Sequence, residues 1–247
     1  MGHMIEEVAL SRGHEIVCVI DANPTLTLPS REGMKVYSPE VGFQSEAFRS
    51  ADVAIEFTTP ATAEENIRKA WAQGVPVVSG STGINKPNPD PSLIGREEGN
   101  KWIVRNKEGK VMLVWSSNYS VGVNIFFEVN KFLAQEMKNL TPTLSTREGG
   151  YTPSITEIHH IHKLDKPSGT AKTLAEQIEN ELPSLQGGAG GRLPIESIRE
   201  GEVPGKHEVK WDSEEDTIII THIAKGRRGF ALGAVLAAED IYKEKNI

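Results

Sequence analysis

The chain has 247 residues, enough for one large α/β domain or two modest ones, and a formal net charge of -7 at pH 7. Its 27 basic and 34 acidic residues are spread along the sequence, without the basic stripe that nucleic acid demands. No apolar run approaches the ~20 residues that span a bilayer, the start lacks a secretion-signal pattern, and Cys18 has no second cysteine to pair with. The composition therefore reads as a soluble cytoplasmic protein that binds neither nucleic acid nor membrane.

In chain order, Met4, Ile5, Val8 and Ala9 fall at helical spacing, and Arg12-Gly13 stops the helix before EIVCVID. Strand and helix then alternate: ADVAIEF, a strand; ATAEENIRKAWAQG, a helix closed by Gly74; VPVVSG and VMLVWSS, strands; VGVNIFFEVNKFLAQEM, a helix. Short apolar strands between helices predict a parallel sheet covered on both faces, the doubly wound α/β plan, with ligands at the carboxyl ends of its strands. The run from Ile84 to Lys110, rich in Pro, Asn, Gly and charge, reads mostly as loop. Beyond Met137, SITEIHHIHK, LPIESIRE, GKHEVKW and DTIIITHIA predict a second α+β domain with a mixed or antiparallel sheet. One helix follows PSGT, and the closing helix FALGAVLAAEDIY returns to the first domain.

The strand EIVCVI ends at Asp21, where dinucleotide folds place an acid for the ribose hydroxyls, although taken alone an ordinary turn aspartate is the commoner reason for an acid there. Such an acid lies ~20 positions beyond a Gly-rich turn, and Gly2 stands at that distance. On this reading Gly2 is the last glycine of a fingerprint whose first strand and earlier glycines are missing from the sequence. GSTG (Gly80, Ser81, Thr82, Gly83) and SSNYS (Ser116, Ser117, Asn118, Tyr119, Ser120) follow predicted strands and can approach a cofactor or serve as plain turns.

The segment EIHHIHKLDKPSGTA concentrates chemistry. Read as a strand to Lys163, it places Glu157, His159 and Lys163 on one face and His160 and His162 on the other. His159 and Lys163 are candidate proton donors, and Ser168 caps a helix whose Gly169 and Thr170 amides attract a carboxylate. Two competing readings are a histidine-rich surface strand before an ordinary capped helix, and a metal site at His160 and His162 assisted by Glu157, which Lys163 would oppose.

EIHHIHKLDKPSGTA resembles the signature of bacterial 4-hydroxy-tetrahydrodipicolinate (dihydrodipicolinate) reductases, and IEFTTP, SGSTG, SSNYSVGVN, REGEVPGKHEV and THIAKGRRGFALGA follow in that family's order. The resemblance implies a Rossmann-like domain at 1–118, completed by 227–247, and a substrate-binding and oligomerisation domain at 119–226. It implies NADH or NADPH, with NADH favoured because no arginine follows Asp21 and Ala22; a small cyclic dicarboxylate substrate; a homotetramer; and a place in lysine and diaminopimelate biosynthesis. It implies His159 and Lys163 as catalytic residues and His160, Gly169 and Thr170 as carboxylate binders. Gly2, Asp21, Gly80, Ser81, Thr82 and Ser116 to Tyr119 become cofactor-binding positions, with no metal. Ser81 and Ser116 replace a threonine and an alanine of the family pattern, and the insert from Lys86 to Lys110 departs from a short helical connection. A catalytically impaired dinucleotide or dicarboxylate sensor of the same fold is the alternative.

Overall fold

The computed structural model describes residues 1–24, 35–81, 84, 87–88, 90–98, 101–138, 150–182 and 193–245. These form two compact units, Met1–Ser120 with Arg228–Ile247, and Val121–Arg227.

In the first unit, α1 (Gly2–Ser11) precedes β1 (Val19–Ile20), β2 (Val36–Tyr37), α2 (Pro39–Gly42), α3 (Glu46–Arg49), β3 (Ala54–Glu56), α4 (Pro60–Ala72) and β4 (Val77–Ser79). Strands β5 (Ile94–Glu98), β6 (Lys101–Arg105) and β7 (Val111–Trp115) complete its sheet. β1 and β2 form a parallel two-stranded ladder, and the main sheet has the order β3-β4-β7-β6-β5, parallel among β3, β4 and β7 and antiparallel beyond. Pleating sends Val77 and Leu113 to one face, where Ile67 and Ala70 of α4 cover them, and Val78 and Val114 to the other. There the last helix, α7 (Arg228–Lys245), contributes Ala234, Ala237 and Ile241, and α1 packs Ile5, Val8 and Ala9 against Ala231 and Val235 of α7. Helices on both faces make the unit doubly wound. Each fully buried aliphatic side chain contributes ~1.5–3 kcal/mol relative to exposure.

Local signals set the ends of these elements. Pro60 opens α4 and Gly74, at φ +75°, closes it, its N–H donating to the Trp71 carbonyl. Of EIVCVI, only Val19 and Ile20 enter a ladder, because β2 offers a partner no longer than two residues.

The segment read mostly as loop contains the β5–β6 hairpin. Trp102 and Val104 face one core while Ile103 faces the other, so the chain's charged residues occupy the remaining positions of an edge hairpin that needs few apolar side chains. The turn into β7 is fixed by the Asn106 carboxamide, which accepts from the amides of Glu108 and Lys110, and by Gly109 at φ +85°.

In the second unit, α5 (Val121–Met137) and α6 (Gly169–Glu181) cover one face of a four-stranded mixed sheet. Its strands are β8 (Thr152–His159), β9 (Ile195–Arg199), β10 (Lys206–Asp212) and β11 (Thr217–Ile223), in the order β11-β10-β8-β9. β10 runs antiparallel to both β11 and β8, and β8 parallel to β9. Ile155, Val209 and Trp211 meet Phe126 and Phe127 of α5 and Leu174 and Ile178 of α6 in its core. Asn130, fully buried on α5, donates to the Leu174 carbonyl and to Gln177, which fixes the two helices against each other.

Candidate functional site

The second unit carries the histidine-lysine segment. Its strand stops at His159 rather than at Lys163. Its two neighbours explain the stop: His159 pairs with Arg199, the last residue of β9, and Ile158 pairs with Lys206, the first of β10. With no ladder left to extend, residues 160–163 turn, the Lys163 N–H donating to the His160 carbonyl. Glu157 and His159 therefore do share the buried face, whereas Lys163 owes its position to the turn and not to the pleat.

Around Glu157 the sheet assembles a polar cluster. Its carboxylate is completely buried; Oε2 lies 2.9 Å from His159 Nδ1, and Oε1 accepts from the Ser168 N–H at 3.0 Å and from Arg199 Nη2 at 3.1 Å. His207, directly opposite Glu157 in the β10 register, places Nε2 3.8 Å from Oε2 and 3.1 Å from Ser168 Oγ. Burial alone would raise the Glu157 pKa, but the His159 ring and the Ser168 side chain and amide outweigh it and hold the carboxyl well below the usual range. His207 is pushed down to about 4, first by burial and then by His159 beside it, so it is neutral near pH 7. The two rings meet edge to face, 4.9 Å between centroids.

Arg199 also fastens the turn, donating through Nε to the Lys163 carbonyl and through Nη2 to the Asp165 carbonyl. Lys163 Nζ pairs with Asp165 at 2.7 Å. Ser168 caps α6, its Oγ accepting from the Ala171 N–H, which leaves Gly169 and Thr170 as the first two residues of a 13-residue helix. Apart from its chain neighbours and the helix backbone, no described heavy atom lies within 4 Å of where a Cβ on Gly169 would stand, and the Gly169 N–H donates to the Asp165 carboxylate, as an anion at a helix N-terminus does. His160 is half-buried, its ring 6.1 Å from that of His162. Among the described residues the group spaced to share a cation is instead Glu157, His159 and His207, whose ligand atoms lie within 4.8 Å of one another.

The first unit presents the remaining predicted positions at the carboxyl ends of its strands. Gly80 and Ser81 follow β4, Ser116 to Tyr119 follow the adjacent β7, and hydrogen bonds join the two loops. Trp115 Nε1 donates to the Ser81 carbonyl at 2.9 Å, and the Ser116 N–H and the Tyr119 hydroxyl both donate to the Ser79 carbonyl. Tyr119 is buried and also donates to Val114 O; burial, then the charge of Glu56, raises its phenol pKa well above the ordinary value, so it acts as a neutral donor. Ser116 Oγ donates to the Asn118 carbonyl, Asn118 Oδ1 accepts from the Ser120 N–H, and Ser117 is exposed.

Asp21 directly follows β1, its carboxylate accepting from the Asn23 amide at 2.7 Å. Gly2 is the first residue of α1, and apart from its chain neighbours and the helix backbone no described heavy atom lies within 4 Å of a Cβ position, as the close approach of a pyrophosphate requires. Thr82 lies outside the described residues.

Sequence reasoning missed several participants. Glu56, at the end of β3, is buried and accepts from Ser79 Oγ at 2.5 Å, Ser81 Oγ at 2.9 Å, and the Thr58 hydroxyl and amide at 2.5 and 2.7 Å, tying the ends of β3 and β4 together. His207 had a signal: with Val209 and Trp211 it alternates against Lys206, Glu208 and Lys210, which marks its face as buried. Arg199 had none, since its role depends on which strand β9 pairs with.

The family models and the curated relatives point to one family. The family model described as dihydrodipicolinate reductase, N-terminus, matches residues 1–119, and that described as dihydrodipicolinate reductase, C-terminus, matches 122–247. A 4-hydroxy-tetrahydrodipicolinate reductase of Christiangramia forsetii is 38% identical over 244 residues, covering 97% of this chain and 87% of the relative. One from Archaeoglobus fulgidus is 32% identical over 258 residues, covering 98% and 90%. A dipicolinate-bound dihydrodipicolinate reductase from Paenisporosarcina sp. TG-14 superposes with a TM-score of 0.70 at 18% identity, covering 98% of this chain and 90% of that one, a likeness of fold. With both family models matched in order along nearly the whole sequence, the chain belongs to the dihydrodipicolinate reductase family.

Proposed function

We propose that this chain reduces 4-hydroxy-tetrahydrodipicolinate to tetrahydrodipicolinate, a step of diaminopimelate and lysine biosynthesis, with a nicotinamide dinucleotide as the hydride source. The observation that carries this reading is the buried pairing of Glu157 with His159 beside the turn that holds Lys163 and the N-terminal end of α6. The site offers an acid, a cation and an anion cradle within one strand-to-helix connection, which suits a small dianionic ring.

His159 donates the proton that the reduced ring takes up, and Lys163 supplies positive charge or a second proton route. The Gly169 and Thr170 end of α6 and the His160 ring hold the substrate's carboxylates. The dinucleotide supplies the hydride when bound. Gly2 suits its pyrophosphate, Asp21 its ribose hydroxyls, and Gly80, Ser81, Thr82 and the segment from Ser116 to Tyr119 its nicotinamide half. The Asp21 carboxylate repels a 2′-phosphate, so NADH is the preferred cofactor. The protein acts as a homotetramer in the cytoplasm; no helix among the described residues is long and apolar enough to cross a membrane.

The test is the initial rate of NADH and NADPH oxidation with substrate generated in place from pyruvate and aspartate semialdehyde by a coupling synthase. Turnover with both cofactors and a lower KM for NADH is expected, and His159→Gln and Lys163→Ala should each lower kcat by roughly 10²-fold or more in a folded protein. Absence of turnover, or full activity in both variants, rules the reading out.

A further inference from the structure

We propose that Glu157 is the positioning residue that makes His159 a proton donor through Nε2, with Arg199 and the Ser168 amide holding the carboxylate in place for that task. The proposal rests on the reductase reading and deepens it.

The two carboxylate oxygens have different surroundings. Oε1 accepts from the Ser168 N–H and Arg199 Nη2, which fixes the group and neutralises a charge that burial would otherwise make costly. Oε2 lies 2.9 Å from His159 Nδ1, an ion-pair contact rather than an aligned hydrogen bond, and neither atom has a hydrogen-bond partner among the described residues. A carboxylate at Nδ1 keeps the ring's permanent proton there. Only Nε2 then gains and loses the second proton, and the ring need not change tautomer between turnovers.

The second histidine strengthens the assignment. Two imidazoles packed edge to face this closely cannot both carry charge, and Glu157 decides between them: it lies 2.9 Å from a nitrogen of His159 but 3.8 Å from the nearest of His207, which is bonded instead to Ser168 Oγ. The titratable and charged groups around the pair are Glu157 on β8, Arg199 on β9, His207 on β10, His222 on β11 and Lys163 on the turn. Gly205 leaves the outer side of the ring clear, since a Cβ there would stand 3.1 Å from His159 Nε2. In the step itself the Nε2–H bond breaks, its electron pair stays on Nε2, and the proton forms a new bond to the substrate ring. The substrate's 4-hydroxyl leaves as water, taking a proton from the adjacent ring carbon and leaving a ring double bond conjugated with the imine; a dinucleotide held by the first unit would supply the hydride, with its electron pair, for the other new C–H bond of that unsaturated ring. His159 returns to the neutral Nδ1–H form facing Glu157.

The experiment compares the full-length wild type with Glu157→Gln, Glu157→Asp and His159→Gln, measuring kcat and KM across pH, and records the imidazole ¹⁵N shifts of His159 in the wild type. Glu157→Gln should lower kcat by roughly 10- to 100-fold with KM for the dinucleotide unchanged, and Glu157→Asp should restore part of the loss. The ¹⁵N shifts should report the Nδ1–H tautomer; an Nε2–H tautomer overturns the proposal even where Glu157→Gln fails to fold. A large loss in His159→Gln beside an unchanged Glu157→Gln sinks the proposal alone, whereas full activity in His159→Gln sinks the proton-donor reading beneath it.

Discussion

Gly233 on α7 lies so close to the backbone of Tyr119 that a Cβ on it would stand 1.7 Å from the Tyr119 carbonyl oxygen and 2.8 Å from its carbon. Neither a helix nor the segment leaving β7 can yield that much without losing its own hydrogen bonds. The contact fixes the height of the loop that carries Asn118 and Tyr119 at the sheet's carboxyl edge. Gly233→Ala should destabilise the protein by about 3 kcal/mol, with a fall in melting temperature of roughly 6–12 °C. Calorimetry checks it, and an unchanged melting temperature would mean that α7 shifts freely, contrary to its packing against β4 and β7.

Gly205 makes a different prediction because its neighbour is a reacting group. Its φ of +152° disfavours any side chain, and its Cβ would approach His159 Nε2. Gly205→Ala should cost only about 1–2 kcal/mol of stability while lowering kcat about tenfold, since the methyl occupies the space through which the proton leaves. Parallel measurement of kcat and thermal unfolding separates the two effects. Wild-type turnover in this variant would show that the region beside Nε2 is not used.

In the first unit, Trp115 joins the two loops assigned to the cofactor by donating from Nε1 to the Ser81 carbonyl. Trp115→Phe keeps most of the apolar contact with the core around Val77 and Leu113 and removes that bond. The expected result is a KM for the dinucleotide raised about fivefold with kcat nearly unchanged, consistent with the ~1 kcal/mol that one hydrogen bond contributes. Steady-state kinetics with varied NADH tests it, and a fall in kcat at constant KM would place Trp115 in the chemistry instead.

The difference between what the sequence displayed and what it hid follows from the range of the interactions. Helices α4 and α6 were legible because Pro60 and Gly74 bound one, Ser168 caps the other, and their apolar residues recur at helical spacing. The pleat of β8 likewise put Glu157 and His159 on one face. The end of that strand was not legible, because it depends on where β9 and β10 stop supplying partners. The same dependence hid Arg199 and the pairing of His207 with Glu157, which exist through strand order and register alone. The β5–β6 hairpin escaped notice because an edge hairpin can carry many charges and still bury Trp102, Ile103 and Val104.

Acid sensitivity should begin with His207. Its pKa in the folded protein is lowered from 6.5 to about 4, so between those values the unfolded chain binds more protons than the folded one and stability falls as pH falls. A shift of that size corresponds to a loss of about 3 kcal/mol at 1.36 kcal/mol per unit, complete near pH 4. His222, also lowered by burial, acts with the same sign. Glu157 acts later: its carboxyl is held well below its ordinary value of 4.5, so its contribution is present above that pH and is lost only as pH falls further. Thermal unfolding from pH 7 to pH 5 should therefore show a falling melting temperature before the carboxylates respond, and His207→Gln should make that fall shallower. Equal slopes in wild type and variant would mean that His207 takes up its proton within the folded protein at no cost, which its burial between His159, Glu157 and Ser168 forbids.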